Sequence, residues 1–199
     1  MIHEPIFTDN FSQKILNILS NYSNKQLNLM ISGGSILPFL EITKKLNTAK
    51  WKIYFCDERI TSNKSDLNYQ QASPFISHIL NFPIYTDKLT PKECVENYKI
   101  PEIDLAFLGV GDDGHIASLE PMSPYLNSEE KLLYIENFPN SPNQRITVSI
   151  KFLNEVKKIY FLIPPKNGVL KKVKAPHPSI LNKLTSDVFI ILDQRCAYK

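Results

Sequence analysis

Several short apolar runs in this chain each end in a glycine-rich or charged turn, and this pattern constrains the fold. The run Leu27–Ile31 has the length and composition of a buried strand and passes into the turn SGGS at 32–35. Apolar residues then recur at helical spacing over 36–46. A strand, a glycine turn and a helix in succession form the opening of a βαβ unit.

The same pattern continues along the chain. Thr8, Asp9 and Asn10 offer N-cap residues for a first helix at 11–19. We predict an α/β fold: a single domain over residues 1–199 with a mostly parallel, Rossmann-like open sheet flanked by helices. The further strands are predicted at 52–56, 104–108, 132–135, 145–150, 159–163 and 188–192, and the further helices at 67–80, 91–98, 166–173 and 179–184.

The stretch 104–121, DLAFLGVGDDGHIASLEP, carries the most distinctive group of residues. Three glycines follow its apolar run and let the backbone bend closely around a ligand. His115 comes directly after this turn, beyond the carboxyl end of a strand, where open α/β sheets place their active sites. The alternative is a plain turn with a surface histidine. Asp112 and Asp113 are interpreted as turn-forming residues.

The turn Ser32-Gly33-Gly34-Ser35 lies between a strand and a helix. Backbone amides at a helix N-terminus, together with the helix dipole, form an anion site that suits a phosphate. The turn is neither a Walker loop nor a full dinucleotide fingerprint, so it does not indicate a nucleotide. An ordinary βα turn is the alternative.

Charged residues follow three of the predicted strands or open them. Asp57, Glu58 and Arg59 come directly after the strand at 52–56, where an arginine can bind a phosphate or polarise a carbonyl. Arg145 opens one strand and Lys166 follows another. The sequence alone leaves open whether these two reach the same site or lie on the surface.

Composition excludes several classes of protein. The net charge is +3 and the lysines are scattered, so the basic face of a nucleic-acid-binding protein is missing. No apolar run approaches the roughly 20 residues of a membrane span. The three cysteines lack metal-ligand spacing, and nothing resembles a secretory signal. We expect a cytoplasmic protein without a metal ion.

Taken together, the motifs resemble those of one enzyme family, that of the glucosamine-6-phosphate isomerases and 6-phosphogluconolactonases. The similarity extends from residue 30 to about residue 181, and its most specific part is the glycine and histidine stretch. The motifs that carry it are SGGS at 32–35, CDER at 56–59, LNY at 67–69, GVGDDGHIASLEP at 109–121, RIT at 145–147 and HPSIL at 177–181.

Two of three diagnostic positions are similar to the lactonase branch. The sequence has DGHIASLEP where deaminases have DGHIAFNEP, so Ser118 stands in place of a phenylalanine. Arg59 matches the lactonase form DER, whereas Glu120 is shared with the deaminases. The chain departs from the family pattern in SGGSIL (usually SGGSTP), in Gln70 (usually glycine) and around Lys166, where only the lysine of a Gly-x-x-Lys-Ala motif is kept.

The resemblance implies hydrolysis of 6-phospho-D-glucono-1,5-lactone to 6-phosphogluconate, without a cofactor, by a monomer or homodimer. His115 is then the general base that activates water, and Asp57 orients His115 or a sugar hydroxyl. Arg59, Lys166 and the 32–35 turn hold the phosphate, and Arg145 holds the phosphate or the oxyanion.

Two other functions are compatible with the same sequence. One is a deaminase or isomerase that acts on glucosamine 6-phosphate and uses Asp57 as its proton shuttle. The other is a non-catalytic sugar-phosphate sensor. Retention of His115, Asp57 and Arg59 argues against the sensor, because burying charged groups is costly unless they are used.

Overall fold

Two β-sheets are present in the computed structural model, which describes residues 1–164 and 175–194 of the chain. The larger has seven strands and the smaller has three. In chain order the strands are β1 (Ile6–Thr8), β2 (Leu27–Ile31), β3 (Trp51–Phe55), β4 (Asp57–Arg59), β5 (Leu80–Phe82), β6 (Leu105–Gly109), β7 (Leu132–Ile135), β8 (Arg145–Val148), β9 (Lys158–Ile163) and β10 (Asp187–Asp193).

The large sheet is parallel throughout, in the order β1-β10-β9-β6-β2-β3-β5. From β2 the chain moves outward to β3 and β5, then returns to place β6 on the other side of β2. The strand order therefore reverses between β2 and β6, and open sheets bind ligands in the crevice at such a point. The predicted α/β fold with a mostly parallel open sheet is confirmed.

The helices pack against this sheet, and α1 illustrates how they begin. The Asn10 side chain accepts a hydrogen bond from the Gln13 backbone N–H at 3.0 Å and so caps α1, as predicted. The α-helices are α1 (Phe11–Ser20), α2 (Asn68–Ile76), α3 (Pro91–Asn97), α4 (Ile150–Leu153) and α5 (Pro178–Leu181), and more tightly wound 3₁₀ helices span Gly34–Lys45, Lys64–Asp66 and Pro124–Asn127.

The helix predicted at 36–46 is a 3₁₀ helix over Gly34–Lys45. Pro38 lies inside it, and proline has no N–H to donate while its ring collides with the carbonyl group four residues earlier. A regular α-helix is therefore interrupted at this position, and the segment takes the tighter winding. The helix predicted at 166–173 lies outside the described residues.

The small sheet, β4-β8-β7, is antiparallel and was not foreseen. Its origin is a bend at Cys56. The Cys56 N–H still bonds to the Ile31 carbonyl of the large sheet at 2.9 Å, while its own carbonyl accepts from the Val148 N–H at 2.8 Å. The predicted strand at 145–150 is shorter, since Ile150 already belongs to α4. This bend places the small sheet beyond the carboxyl end of β3.

Strands β1 and β5 were missed because each has three residues, too few to show a period. The helix predicted at 67–80 accordingly ends at Ile76, and β5 begins at Leu80. Both strands lie at the edges of the large sheet, and Leu80 is 59% exposed.

Two leucines of the large sheet, one buried and one exposed, are expected to contribute very different amounts to the free energy of unfolding. Leu29 in β2 is fully buried, so we expect Leu29→Ala to lower the free energy of unfolding by about 2–5 kcal/mol. The matched change Leu80→Ala, on an exposed edge, should alter it by less than about 0.5 kcal/mol. Urea denaturation followed by circular dichroism measures both, and equal losses would contradict the assigned strand order.

Candidate active site

A cleft of about 300 Å³ opens where the strand order reverses, between the loops after β2 and β6 and the small sheet. Lys166 lies outside the described residues. All the other residues predicted for the site line this one cleft: Ser32, Gly33, Gly34, Ser35, Asp57, Arg59, His115 and Arg145.

Ser32 joins the loop after β2 to the carboxyl end of β6. Its hydroxyl accepts from the Gly109 N–H at 2.8 Å, and its own N–H donates to the Phe107 carbonyl at 3.1 Å. The Gly34–Lys45 helix starts here, and no side chain caps it. Its first N–H groups have no partner within the helix and border the cleft, which is the arrangement that binds anions.

Gly33 is required by its neighbour Asn68. A Cβ atom at position 33 would lie 2.1 Å from the Asn68 Oδ1 atom, far closer than any van der Waals contact. Asn68 is buried, belongs to α2, and also lines the cleft. The sequence motif LNY contained this residue, but only the structure places it against the glycine turn.

The His115 ring is held by Asp113. The ring Nδ1 lies 2.6 Å from Asp113 Oδ1, which also accepts from the His115 backbone N–H at 3.0 Å. Partial burial favours the neutral acid, but these hydrogen bonds outweigh it and keep the pKa of Asp113 below its ordinary value. Since the carboxylate accepts from Nδ1, Nε2 is left as the basic nitrogen of a neutral ring.

Asp57 does not hold His115, so that part of the prediction is wrong. Within the described part of the chain, its Oδ2 accepts from the Ser118 hydroxyl at 2.8 Å. Its Oδ1 accepts from Asn68 Nδ2 at 3.3 Å and from the Cys56 thiol at 3.2 Å. Burial raises the pKa of Cys56 well above its ordinary value, and Asp57 adds to this, so the thiol keeps its proton and can donate it.

Ser118 reaches Asp57 because of a tight turn. Ile116 and Leu119 exchange two backbone hydrogen bonds, and Ala117 between them has a φ of 50°, in the left-handed region. This turn directs Ser118 into the interior, where its N–H donates to Thr147 Oγ1 at 3.2 Å.

The two arginines face each other across β4 and β8. Arg59 and Arg145 are register partners in the antiparallel pair. Arg59 donates to the Asp66 carbonyl at 3.1 Å and Arg145 to the Asn140 carbonyl at 3.2 Å, and neither takes part in a salt bridge with another described residue. Burial lowers the pKa of Arg145, although nearby Asp57 opposes the effect. Two guanidinium groups therefore give the cleft a positive wall suited to a phosphate or carboxylate.

Phe138 links the arginine side of the cleft to the histidine side. The Arg145 guanidinium carbon lies 4.9 Å from the centre of its ring. The His115 ring meets the same ring edge to face, with centroids 5.5 Å apart. Phe138 stands in an irregular stretch between β7 and β8, and no local sequence pattern indicated it.

Glu58 lies beneath the cleft between Asp57 and Arg59. It is fully buried and accepts hydrogen bonds from the backbone N–H groups of Arg59, Asn68 and Tyr69. Burial raises its pKa to about 7, even though these three donors favour the charged form.

Other kinds of site find little support in residues 1–164 and 175–194. No group of three or more His, Cys, Asp or Glu side chains in these ranges is arranged to hold a metal ion. None of the helices described there has the length and apolar character needed to cross a membrane.

Comparison with known proteins identifies the family. Residues 6–180 match the model of the Glucosamine-6-phosphate isomerases/6-phosphogluconolactonase family, and the chain belongs to this family. It is 31% identical over 170 residues to a probable 6-phosphogluconolactonase of Drosophila melanogaster and 31% identical over 176 residues to the 6-phosphogluconolactonase of Homo sapiens. These alignments cover 72% and 73% of this chain and 67% of each relative. Across the curated relatives compared, the chain spans 54% to 67% of their length.

Solved structures share the fold. A 6-phosphogluconolactonase from Thermotoga maritima superposes with a TM-score of 0.75 at 19% identity, covering 96% of this chain and 99% of the other. A monomeric glucosamine-6-phosphate deaminase superposes with a TM-score of 0.71 at 18% identity, covering 98% and 97%. At these identities the likeness concerns the fold alone, and it does not separate the two branches.

Gly111 provides a test of how the His115 ring is seated. A Cβ atom at position 111 would lie 2.1 Å from the ring Cε1, so we expect Gly111→Ala to push the ring away from Asp113. The matched change Gly109→Ala meets its nearest atom at 3.4 Å and should leave the ring in place. Proton NMR of the His115 ring measures this, and unchanged His115 signals in Gly111→Ala would contradict the seating described.

Glu58 predicts a dependence of stability on pH. Because burial raises its pKa from 4.5 to about 7, the folded protein keeps a proton that the unfolded chain releases between these values. The contribution of Glu58 to stability is thus largest below the unfolded pKa and falls by about 3 kcal/mol as pH rises through the folded pKa. We expect the unfolding free energy of Glu58→Gln, relative to wild type, to rise with pH in this window and then to level off. Urea denaturation across the window checks this, and a constant difference between the two proteins would refute it.

Proposed function

We propose that the protein hydrolyses 6-phospho-D-glucono-1,5-lactone to 6-phosphogluconate. The observation that carries this proposal is the cleft itself, where a histidine held by Asp113 faces two arginines that have no carboxylate partner among the described residues. The family includes 6-phosphogluconolactonases, and the lactonase names of the relatives support the same reaction.

The arginine side of the cleft is proposed to bind the phosphate group. Arg59 and Arg145 supply positive charge, and the N-terminal amides of the Gly34–Lys45 helix supply donors on the neighbouring loop. Lys166, which follows β9 in the chain, remains a predicted third cation. One of these cations serves the oxyanion instead.

The proposed chemical step begins with proton transfer to His115. Its Nε2 takes a proton from a water molecule as the water oxygen bonds to the lactone C1 carbonyl carbon, and charge develops on the carbonyl oxygen. The bond between C1 and the ring oxygen then breaks, and the imidazolium returns the proton to the ring oxygen. Asp113 supports both stages because it fixes the ring and stabilises the imidazolium that forms. The product is the open-chain acid.

The lactonase is favoured over the deaminase by the environment of Asp57. Both Asp57 oxygens accept hydrogen bonds from buried neighbours, which hold the carboxylate in one orientation. One of those donors is Ser118, at the position where deaminases have phenylalanine. We therefore propose that Asp57 shapes the cleft and orients a substrate hydroxyl, and that it does not exchange protons.

A cytoplasmic location is part of the proposal. Both cysteines within the described ranges, Cys56 and Cys94, are free and buried, which fits a reducing compartment. We also propose that the enzyme works without a cofactor, as a monomer or homodimer.

One assay tests the reaction and its base together. The lactone is generated by enzymatic oxidation of glucose 6-phosphate at mildly acidic pH, where its spontaneous hydrolysis is slow, and its loss is followed with and without the protein. We expect His115→Ala to lower the catalysed rate by about 10²–10⁴-fold, because it removes the general base.

The control for this variant is His78→Ala. His78 lies away from the cleft and contacts Thr43 at 3.1 Å, so its loss should leave the rate unchanged. A His115→Ala enzyme as fast as wild type would rule out the base mechanism. No wild-type rate above background, or release of ammonia from glucosamine 6-phosphate, would rule out the lactonase.

A further inference from the structure

Glu58 is a buried ionisable residue that the proposed reaction does not use, yet it lies between two cleft residues. Its Oε1 accepts from the backbone N–H groups of Arg59, at 2.8 Å, and Asn68, and its Oε2 accepts from that of Tyr69 at 3.0 Å. Its side chain is fully buried and does not line the cleft. Burying a carboxylate is costly unless hydrogen bonds compensate it, and here three backbone N–H groups do so. The presence of a glutamate at this buried position therefore needs a structural reason.

The reason lies in the start of α2. Asn68 and Tyr69 are its first two residues, whose N–H groups have no partner within the helix. The residue at the cap position, Leu67, has no side chain able to accept them, and Glu58 takes over this role from a different element. The helix dipole adds to the attraction for a carboxylate. Glu58 thereby fixes α2 to strand β4.

Three parts of the cleft depend on where α2 begins. Asn68 donates from Nδ2 to the Asp57 carbonyl at 3.1 Å and to its carboxylate at 3.3 Å. The Oδ1 atom of the same side chain lies against Gly33. Arg59 donates to the carbonyl of Asp66, two residues before the helix, at 3.1 Å. A shift of this helix end would move the glycine turn, Asp57 and Arg59 together.

We propose that Glu58 is a positioning residue for ligand binding, which sets Arg59 and the Gly33 turn by fixing the first turn of α2. The kinetic part of this inference rests on the proposed lactonase function, whereas its structural part does not. The charged groups around Glu58 are Asp57 and Arg59 on its own strand and Arg145 on β8, while α2 contributes backbone N–H groups. Glu58 thus has charges of both signs nearby. What sets it apart from these neighbours is that its carboxylate accepts from the first N–H groups of α2.

The test compares Glu58→Gln with Glu93→Gln at a pH above 7, where the ionised form of Glu58 predominates, and the faster spontaneous hydrolysis measured without protein is subtracted. Glu93 also caps a helix, since its carboxylate accepts from the Thr90 N–H at 2.8 Å at the start of α3, away from the cleft. Both changes therefore remove one capping carboxylate. We expect Glu58→Gln to raise KM for the lactone by about tenfold or more, with kcat altered by less than about threefold, because the arginine and glycine turn shift while the Asp113–His115 pair stays. Glu93→Gln should change neither constant.

A second measurement does not depend on the reaction. Amide hydrogen exchange at Asn68 and Tyr69 should be faster in Glu58→Gln than in wild type and unchanged in Glu93→Gln. Should Glu58→Gln fail to fold, Glu58→Asp carries the same test, since its carboxylate is one methylene too short to reach both N–H groups.

The outcomes separate the two hypotheses. If the wild-type protein does not hydrolyse the lactone, the proposed function fails, and the exchange rates together with the dissociation constant of inorganic phosphate then decide the role of Glu58. Faster amide exchange at Asn68 and Tyr69 in Glu58→Gln, together with a higher dissociation constant for phosphate, supports the positioning role. Wild-type exchange at Asn68 and Tyr69, or faster exchange with unchanged KM and phosphate binding, overturns it.

Discussion

The bend at Cys56 is the constraint on which the candidate site depends. Its N–H bonds to Ile31 in the parallel sheet, and its carbonyl accepts from Val148 in the antiparallel sheet. One residue therefore belongs to both hydrogen-bond ladders, and the next three residues leave the large sheet and pair with β8. Asp57 and Arg59 are carried over the carboxyl end of β3 by this change of direction. Without it, the crevice between β2 and β6 would have a glycine turn and a histidine but no cationic wall.

The electrostatics of the cleft follow from which charges have been neutralised. Asp57 is satisfied by neutral donors, and Asp113 is occupied by His115, so neither carboxylate pairs with an arginine among the described residues. Arg59 and Arg145 bond only to backbone carbonyls there, and Arg145 also stacks on Phe138. Two positive groups facing each other in a half-buried site repel and destabilise the protein, and a bound anion offsets this repulsion. These two arginines thus lower the stability of the free protein and raise its affinity for an anion.

The sequence predicted the parallel sheet well because its strands are apolar runs bounded by strong turn signals. Leu27–Ile31 is found with the expected bounds. The site residues come together because residues that follow parallel strands meet at one edge. Arg145 is the exception: its place depends on the antiparallel sheet, which arises from a bend that no local pattern marks.

Other features of the site could not be foreseen, for two physical reasons. The roles of Asp113 and Glu58 depend on which atoms their carboxylates bond to. From the sequence, an aspartate in a turn can accept from the turn backbone or from a neighbouring ring, and Asp113 does both. Glu58 bonds to backbone groups ten and eleven residues later, where no spacing rule applies. Phe138 reaches the site from an irregular segment, where side-chain direction follows no period.

The contact between Gly33 and Asn68 has a consequence for how this site can change over evolutionary time. The space that a side chain at position 33 would need is filled by the Asn68 amide, which is itself held by Asp57. A larger residue at position 33 becomes acceptable only after position 68 has become smaller, and that step releases Asp57. A side chain at position 33 is thus expected only in sequences that have also lost Asn68, and such a sequence has had to find another partner for Asp57.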